Sequence, residues 1–284
     1  MSNTKKSLQE LLSMSNGIIL LAMCCINIHS YAQKQKGYAL VWSDEFSKNG
    51  KPDTSKWSYE HGFVRNEEDQ WYQPENANCR NGILVIEAKR VQQPNPNYVA
   101  GSKDWRKNRE MIQYTSACLI TRNKQQWQYG RFIMRARIDV SAGMWPAWWM
   151  LGATKPWPGN GEIDMMEYYR GKLLANIACL DYNGKAKWYS KTKTVEAEWA
   201  SRFHIWRMDR DSSAIALYVD DSLINRTPLD SLINRDGSNF SPFKQPAYML
   251  LNLAIGGQNG GDPSQTKFPK KFEVDYVRVY KKKE

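Results

Sequence analysis

Short segments in which apolar and polar residues alternate run through most of this chain, and they limit the folds open to it. In GRFIMRARID (130–139), Phe132, Met134 and Ala136 fall on one side of a strand, with arginines on the other. Similar patterns occupy residues 82–90, 213–224, 247–257 and 272–280. No long stretch keeps a helical period, although a short turn fits near 228–234. The chain is therefore predicted to be all-β, as an antiparallel β-sandwich.

Residues 33–284 are expected to form a single domain, because β-sandwiches of about 250 residues occur as one domain. The sequence contains no internal repeat and no linker. Within 213–224 the pair Asp220-Asp221 predicts a hairpin turn. The segment 91–110 is expected to be a long loop, since two prolines and a glycine interrupt it.

The first 32 residues have the pattern of a secretory signal. Lys5 and Lys6 precede an apolar run (17–28), and small residues follow, which predicts cleavage after Ala32. A membrane-spanning helix needs about 20 apolar residues, and this run is shorter, so no membrane span is expected. The chain is expected to be exported to the periplasm or the extracellular space. Cys24 leaves open a lipid-anchored start at the cell surface.

Charge and cysteine content exclude several classes of function. The net charge is +11, but basic residues are interleaved with acidic ones, so nucleic acid is not an expected partner. Cys79, Cys118 and Cys179 follow the predicted signal; their spacings match no metal motif and indicate no disulfide framework. The remaining histidines, His61 and His204, are far apart, which disfavours a histidine-based metal site or a Ser-His-Asp triad.

The stretch GEIDMMEYY (161–169) places three carboxylates within six positions: Glu162, Asp164 and Glu167. In a regular strand Glu162 and Asp164 share one face and Glu167 points away. A β-bulge at Met165–Met166 would return Glu167 to that face. The two glutamates would then lie about 13 Å apart along the backbone. Their long side chains can lean together toward the about 5–5.5 Å carboxyl separation of a retaining glycosidase.

Crowded carboxylates push their pKa values apart, so that one is ionised and another protonated near neutral pH. The ionised group can attack a sugar carbon, and the protonated group can protonate the departing oxygen. Asp164, between them, can hydrogen-bond the nucleophile. Three acids in a strand also fit a solvated face or a cation site, and spacing alone leaves these alternatives open.

Tryptophans surround the acid motif. GMWPAWWML (143–151) and KPWPGN (155–160) supply four of them just upstream of Glu162. Trp148 or Trp149 is expected in the core, because neighbouring strand residues face opposite ways. Indole rings offer flat faces to sugar rings, so aromatic residues beside paired acids suggest a saccharide cleft.

These motifs together resemble glycoside hydrolase family 16, which includes laminarinases, lichenases, agarases and carrageenases. The resemblance covers nearly all of residues 33–284, and its motifs occur in family order: WSDEF (42–46), NEEDQWY (66–72), NGILVIEAKR (81–90), YTSACLIT (114–121), GMWPAWWMLG (143–152), GEIDMMEYY (161–169), LLNLAIGG (250–257) and VDYVRVY (274–280). It implies an all-β sandwich of jelly-roll type with a concave substrate cleft.

The resemblance also implies roles for the acids. Glu162 corresponds to the nucleophile, Asp164 to its assistant and Glu167 to the acid/base. Trp145 and Trp157 correspond to tryptophans that line the subsites around the cleaved bond.

Two more sets of residues take their expected roles from the resemblance. Asn66 and Glu67 match a loop that approaches the glycone side. No cofactor is implied for catalysis, but the family often carries a structural calcium on its convex face. Its matching positions are Glu45, the Gly82 carbonyl and Asp275, although surface carboxylates explain both acids equally well.

Two departures from the family bear on the substrate. Many laminarinases have Arg where this chain has Cys118, and many have a His followed by an aromatic residue where it has Ala178-Cys179. Both changes remove contacts with a glucan and leave the acids untouched.

The sequence therefore predicts a secreted, endo-acting, retaining glycosidase, acting as a monomer on a polysaccharide or oligosaccharide. β-1,3-Glucan or mixed-linkage β-1,3/1,4-glucan is the first substrate class. The alternative within enzymes is an endo-β-galactosidase acting on galactan or host O-glycans. Outside enzymes, the alternatives are a non-catalytic carbohydrate-binding jelly roll and a nonspecific anion binder.

Overall fold

The strands form two sheets that enclose a common hydrophobic core. The protein is described by a computed structural model that covers residues 35–283. The predicted signal segment 1–32 and its cleavage site lie outside the described residues. Within 35–283 the strands are β1 (Tyr38–Asp44), β2 (Ser58–Tyr59), β3 (Gln70–Tyr72), β4 (Ala77–Arg80), β5 (Ile83–Pro94), β6 (Met111–Ser116), β7 (Cys118–Ile120), β8 (Gly130–Arg137), β9 (Met144–Gly152), β10 (Glu162–Tyr169), β11 (Lys172–Leu180), β12 (Ala186–Thr194), β13 (His204–Arg210), β14 (Ala214–Val219), β15 (Ser222–Pro228), β16 (Ala247–Ile255) and β17 (Lys270–Lys282).

The larger sheet has ten strands, in the order β15-β14-β13-β8-β17-β5-β6-β3, with β1 paired to β17 and β4 paired to β5. The second sheet has seven, in the order β12-β11-β10-β9-β16-β7-β2. The predicted antiparallel sandwich of jelly-roll type is confirmed, with one exception. Strands β3 and β6 are parallel, which is feasible because the long connection through β4 and β5 separates them.

Helical structure is short, as the absence of a helical period predicts. Among the described residues the α-helices are α1 (Ala197–Ala200) and α2 (Gly257–Gly260). The 3-10 turns are Pro74–Asn76, Leu229–Ser231 and Pro242–Lys244, and the second of them confirms the turn expected near 228–234. No helix in the range 35–283 is long and apolar enough to cross a membrane.

The alternating segments form strands with the expected inward faces. On β8, Phe132, Met134 and Ala136 are fully buried in the core, and the intervening arginines form ion pairs on the outer face. Asp220 and Asp221 have positive φ angles of 46° and 62° and make the tight turn between β14 and β15, as predicted.

One boundary was predicted wrongly. Strand β5 continues to Pro94, so the long loop begins at Asn95 and not at Val91. The extension is held by antiparallel pairing of Gln93 with Ile112 and of Pro94 with Met111. Pro94 is tolerated because β5 pairs there with β6 alone, so that this end of β5 is an edge of the sheet.

The core is filled from both sheets. Trp148 is fully buried there, together with Phe132 and Leu84 of the larger sheet, whereas Trp149 packs on the opposite face of the seven-stranded sheet. From Gly37 onward the described residues group into one compact unit; that a single catalytic domain begins at residue 33 stays a prediction.

Candidate active site

A cavity of about 420 Å³ opens on the face of the seven-stranded sheet that points away from the core. It crosses β9 and β10 and includes all three acids of the GEIDMMEYY motif. The lining residues are Arg65, Asn66, Trp145, Ala147, Trp149, Leu151, Trp157, Glu162, Asp164, Glu167, Trp188, Asn252, Gln258 and Asn259.

The predicted β-bulge brings the acids together. Asp164 pairs with Asn176 on β11, but the next paired residue is Glu167, opposite Leu174. Two residues of β10 therefore lie opposite one residue of β11, and the extra residue restores Glu167 to the cavity face. Ile163, Met165 and Met166 point into the core and are buried there.

Glu162 and Asp164 are neighbouring carboxyl groups whose pKa values are both raised by burial. Glu162 accepts hydrogen bonds from the Trp157 indole N–H and from the protonated carboxyl of Asp164. Burial raises the pKa of Glu162, while these hydrogen bonds and the charge of Arg65 oppose the rise. Burial, and then the charges of Glu167 and Glu162, raise the pKa of Asp164 well above its usual range. Asp164 is thus the group that keeps the proton, and Glu162 the group that ionises.

Glu167 is held protonated near neutral pH. Its burial raises its pKa to about 8, although the Trp145 indole N–H, 2.7 Å from Oε1, favours the carboxylate form. Trp145 and Trp157 thus each donate to one of the two glutamates.

Asn176 joins the acids from the neighbouring strand, and the sequence analysis missed it. Its Nδ2 donates to Asp164 over 3.1 Å and to Glu167 over 2.9 Å. Arg170 and Gly171, both with positive φ, form the tight turn between β10 and β11. That turn sets Glu167 opposite Leu174, and the β-bulge then sets Asn176 opposite Asp164.

A buried polar chain supports the other wall of the cavity. The Trp149 indole N–H donates to Asn252 (2.7 Å), and Asn252 donates to the Tyr72 hydroxyl (3.0 Å). That hydroxyl in turn donates to Glu68 over 3.2 Å, a carboxyl whose pKa burial raises. Asn252 and Glu68 were also missed from the sequence, because only the fold brings them together.

The two residues of the predicted glycone loop differ in placement. Asn66 lines the cavity, and its backbone carbonyl accepts the Gln258 N–H over 2.9 Å. Glu67 is exposed and is not among the lining residues described above; its carbonyl oxygen accepts a hydrogen bond from Arg109. Contact of Glu67 with substrate stays a prediction.

Trp188 is a further residue that the sequence analysis missed. It lies on edge strand β12, opposite Ala178 of β11, and Ala178 lies opposite Glu162 of β10. Directly opposed residues share a face of a sheet, so Trp188 stands on the cavity face one strand beyond Ala178. Its side chain is 46% exposed. An aromatic residue thus borders the space that the small Ala178 leaves open.

The residues expected to hold calcium are arranged differently. Both carboxylate oxygens of Glu45 bind Arg278 (2.8 and 2.6 Å), and Asp275 binds Arg135 (2.5 Å). In the described part of the chain, no group of three or more His, Cys, Asp or Glu side chains is placed to hold a metal. Calcium needs six to eight oxygen ligands, so Glu45, the Gly82 carbonyl and Asp275 do not fit a calcium site as they stand.

Buried paired acids on a bulged strand, in an aromatic cleft of a jelly roll, define a glycoside hydrolase. The sequence model for glycosyl hydrolases family 16 matches residues 66–278, and the chain belongs to that family. Enzymes of this family retain the anomeric configuration and need no cofactor for catalysis.

Several relatives are similar over most of the chain. A beta-glucanase of Rhodothermus marinus is 36% identical, over 88% of this chain and 87% of its own length. The solved laminarinase of Rhodothermus marinus superposes with a TM-score of 0.71, covering 87% of this chain and 98% of that chain at 36% identity. A solved chain from work on the endo-acting O-glycanases that prominent human gut bacteria express to initiate mucin breakdown superposes with a TM-score of 0.81. It covers 88% of this chain and 93% of its own at 33% identity.

Proposed function

We propose that this family 16 hydrolase cleaves internal bonds of β-1,3-glucan or mixed-linkage β-1,3/1,4-glucan, with Glu162 as nucleophile and Glu167 as acid/base. The carrying observation is the bulged strand, which sets an ionisable Glu162 and a protonated Glu167 on one face of an aromatic cavity. Similarity to a beta-glucanase and a laminarinase supports the glucan.

The proposed reaction has two displacements. The Glu162 carboxylate attacks the anomeric carbon, and the bond from that carbon to the glycosidic oxygen breaks as Glu167 gives that oxygen its proton. A glycosyl ester on Glu162 results. Glu167, now ionised, takes a proton from water; the water oxygen attacks the same carbon and releases Glu162. Glu162 is released as a carboxylate, and Asp164 donates a hydrogen bond to it.

Product analysis tests the proposal. The full chain is incubated with laminarin, barley mixed-linkage glucan, agarose, carrageenan and mucin O-glycans, and soluble oligosaccharides are identified. We expect products from one of the two glucans, with the β-anomer formed first. The Glu162→Gln variant should lose hydrolysis while still binding the polymer. Unchanged hydrolysis by this variant would exclude Glu162 as the nucleophile.

A second candidate is an endo-β-galactosidase acting on O-glycans. Its support is the higher TM-score of the O-glycanase-related chain, 0.81 against 0.71 for the laminarinase, together with the absence of the laminarinase-like Arg at Cys118. Products from mucin O-glycans alone would favour this candidate and keep the same acids.

We also propose that the enzyme is an exported monomer, in the periplasm or outside the cell. The support for export is the signal pattern of residues 1–32; size-exclusion chromatography tests the monomer. The mass of the N-terminal peptide of the native protein tests export: a start at Gln33 supports soluble export, and a lipid-modified Cys24 supports the cell surface. A calcium ion at Glu45, Gly82 and Asp275 has no part in the proposed chemistry.

A further inference from the structure

Among the described residues that line the catalytic cavity, Arg65 is the one cation. Its guanidinium lies 5.1 Å from the ring centre of Trp149 and forms an ion pair with Glu60. The side chain is 22% exposed. The indole face of Trp149 is therefore covered by a hydrogen-bonding cation, which makes this part of the wall polar.

Arg65 lies near Cys118. Cys118 lies on β7, opposite Asn252 of the neighbouring strand β16, and its buried thiol interacts with Glu60 and Arg65. Cys118 is the position where many laminarinases have Arg. In this chain the positive charge in the cleft is that of Arg65, which belongs to the segment before Asn66, and the strand position carries the small side chain of Cys118.

Arg65 has donors to spare. A guanidinium carries five N–H groups, and Nη1 of Arg65 has no hydrogen-bond partner in the described structure. Nη1 itself is enclosed by protein, but the side chain lines the cavity and is 22% exposed, so its exposed part can donate to an oxygen of a bound sugar. The charge of Arg65 is already balanced by Glu60, and Glu162 and Asp164 line the same cavity, so a neutral hydroxyl suits it better than an anionic group.

We propose that Arg65 is a substrate-binding residue that sets specificity. It donates hydrogen bonds to hydroxyl oxygens of a neutral sugar unit held next to Glu162, and it replaces the arginine that the strand lacks at Cys118. This inference rests on the proposed glycan hydrolysis.

The test compares KM and kcat of full-chain variants on whichever polymer of laminarin, barley glucan and mucin O-glycans the unaltered chain hydrolyses. Arg65→Met keeps much of the packing on Trp149 and removes the donors. It should raise KM about 10- to 100-fold, the value of a charge-assisted hydrogen bond, and lower kcat less. Arg65→Lys keeps the charge but not the planar set of guanidinium donors, so its KM should lie between those of the unaltered chain and Arg65→Met. The double variant Arg65→Ala/Cys118→Arg should recover most of the lost affinity.

Arg207→Met is the matched control. Arg207 also lies over an aromatic ring, that of Tyr218 at 4.0 Å, pairs with Asp221 and is 20% exposed, but it belongs to the other sheet. Its removal should leave KM unchanged, and the thermal unfolding midpoint of every variant is measured alongside.

An Arg65→Met effect on KM no larger than that of Arg207→Met would overturn the inference. A double variant no better than Arg65→Ala would overturn the replacement of the strand arginine, and a loss confined to sulfated O-glycans would overturn the neutral sugar. Failure of the proposed function looks different, because the unaltered chain would then release no product from any polymer.

Discussion

Trp145 donates its indole N–H to Glu167 over 2.7 Å, from strand β9 beside the acid motif. The bond favours the carboxylate form of a group whose pKa burial raises to about 8. Two opposing influences therefore set the proton affinity of the proposed acid/base, and one of them can be removed by a single substitution.

Trp145→Phe should move the alkaline limit of activity to higher pH. Without the N–H, the carboxylate of Glu167 is less stabilised, so the carboxyl keeps its proton to a higher pH. The measurement is the pH profile of kcat/KM, which should decline above about 8 in the unaltered chain, where Glu167 loses its proton. Trp199→Phe, far from the acids beside His204, should leave the profile in place. An unshifted alkaline limit in Trp145→Phe would separate that limit from Glu167.

Glu167→Gln should lose activity and gain stability at alkaline pH. The folded pKa of Glu167 is raised, so the folded state binds more protons than the unfolded chain between about pH 4.5 and 8, and stability falls as pH rises through that window. A neutral glutamine removes this loss. We expect kcat to fall about 10²- to 10⁴-fold, and the unfolding midpoint to exceed that of the unaltered chain at pH 8 but not at pH 4.

The matched control for that measurement is Glu196→Gln, at an exposed position, which should show no such pH-dependent gain. Equal midpoints for Glu167→Gln and the unaltered chain at both pH values would mean that Glu167 carries no burial penalty.

Trp188→Ala should weaken polymer binding. Trp188 stands in the row of Glu162 and Ala178, where a sugar ring can stack on its exposed face. Loss of one aromatic contact predicts about a three- to tenfold rise in KM, and Trp188→Phe should restore most of it. Ala178→Leu, which fills the space between, should raise KM as well. Normal KM values in both Trp188→Ala and Ala178→Leu would place the substrate elsewhere.

Gly257→Ala should damage the cavity wall. Gly257 has a φ of +64°, and an added Cβ would lie 2.7 Å from the Asn66 carbonyl oxygen and 2.8 Å from Glu68 Cα. The segment that carries Arg65 and Asn66 would have to shift, so stability and activity should both fall. Gly184→Ala is the control, because its φ of +74° carries the same backbone strain but nothing lies within 4 Å of its Cβ.

The difference in unfolding free energy between Gly257→Ala and Gly184→Ala measures the effect of the close contact between the added Cβ and the segment of Asn66 and Glu68. The backbone strain alone is worth about 1 kcal/mol. Equal losses of unfolding free energy, with full activity in both variants, would show that the segment of Arg65 and Asn66 can shift without affecting the cavity.

Removal of calcium should leave the enzyme unchanged. Glu45 and Asp275 are each paired with an arginine, so neither carboxylate is free to bind the ion at this site as it stands in the described residues. We expect the same unfolding midpoint in EDTA and in excess calcium. A midpoint that rises with calcium, and no longer does so in Glu45→Gln, would mean that Arg278 yields its partner to the ion.

Much of the site follows from sequence because its parts are local. Glu162, Asp164 and the bulge at Met165–Met166 lie within one strand. There the two-residue period, together with the charged or apolar character of each side chain, is enough to predict which face it occupies. The same period predicts that Trp148 or Trp149 lies in the core, and the structure shows that it is Trp148.

The missed residues depend on pairing between strands. Asn176 and Trp188 reach the acids through the register of β10, β11 and β12, and Asn252 through the packing of β16 beside β9. The turn residues Asn183-Gly184 gave a usable hairpin signal for β12. Arg65 had none, because its position over Trp149 depends on how a loop folds back across the sheet.

The bulge in β10 works like a shift of reading frame for side chains. Before it, even-numbered residues face the cavity; after it, odd-numbered residues do, as Asp164 and Glu167 show. Without the bulge, a regular strand of the same length would turn Glu167 into the apolar core, because Glu167 lies three residues after Asp164. The three-residue step from Asp164 to Glu167 therefore keeps both acids in the cleft only together with the bulge that absorbs the extra residue.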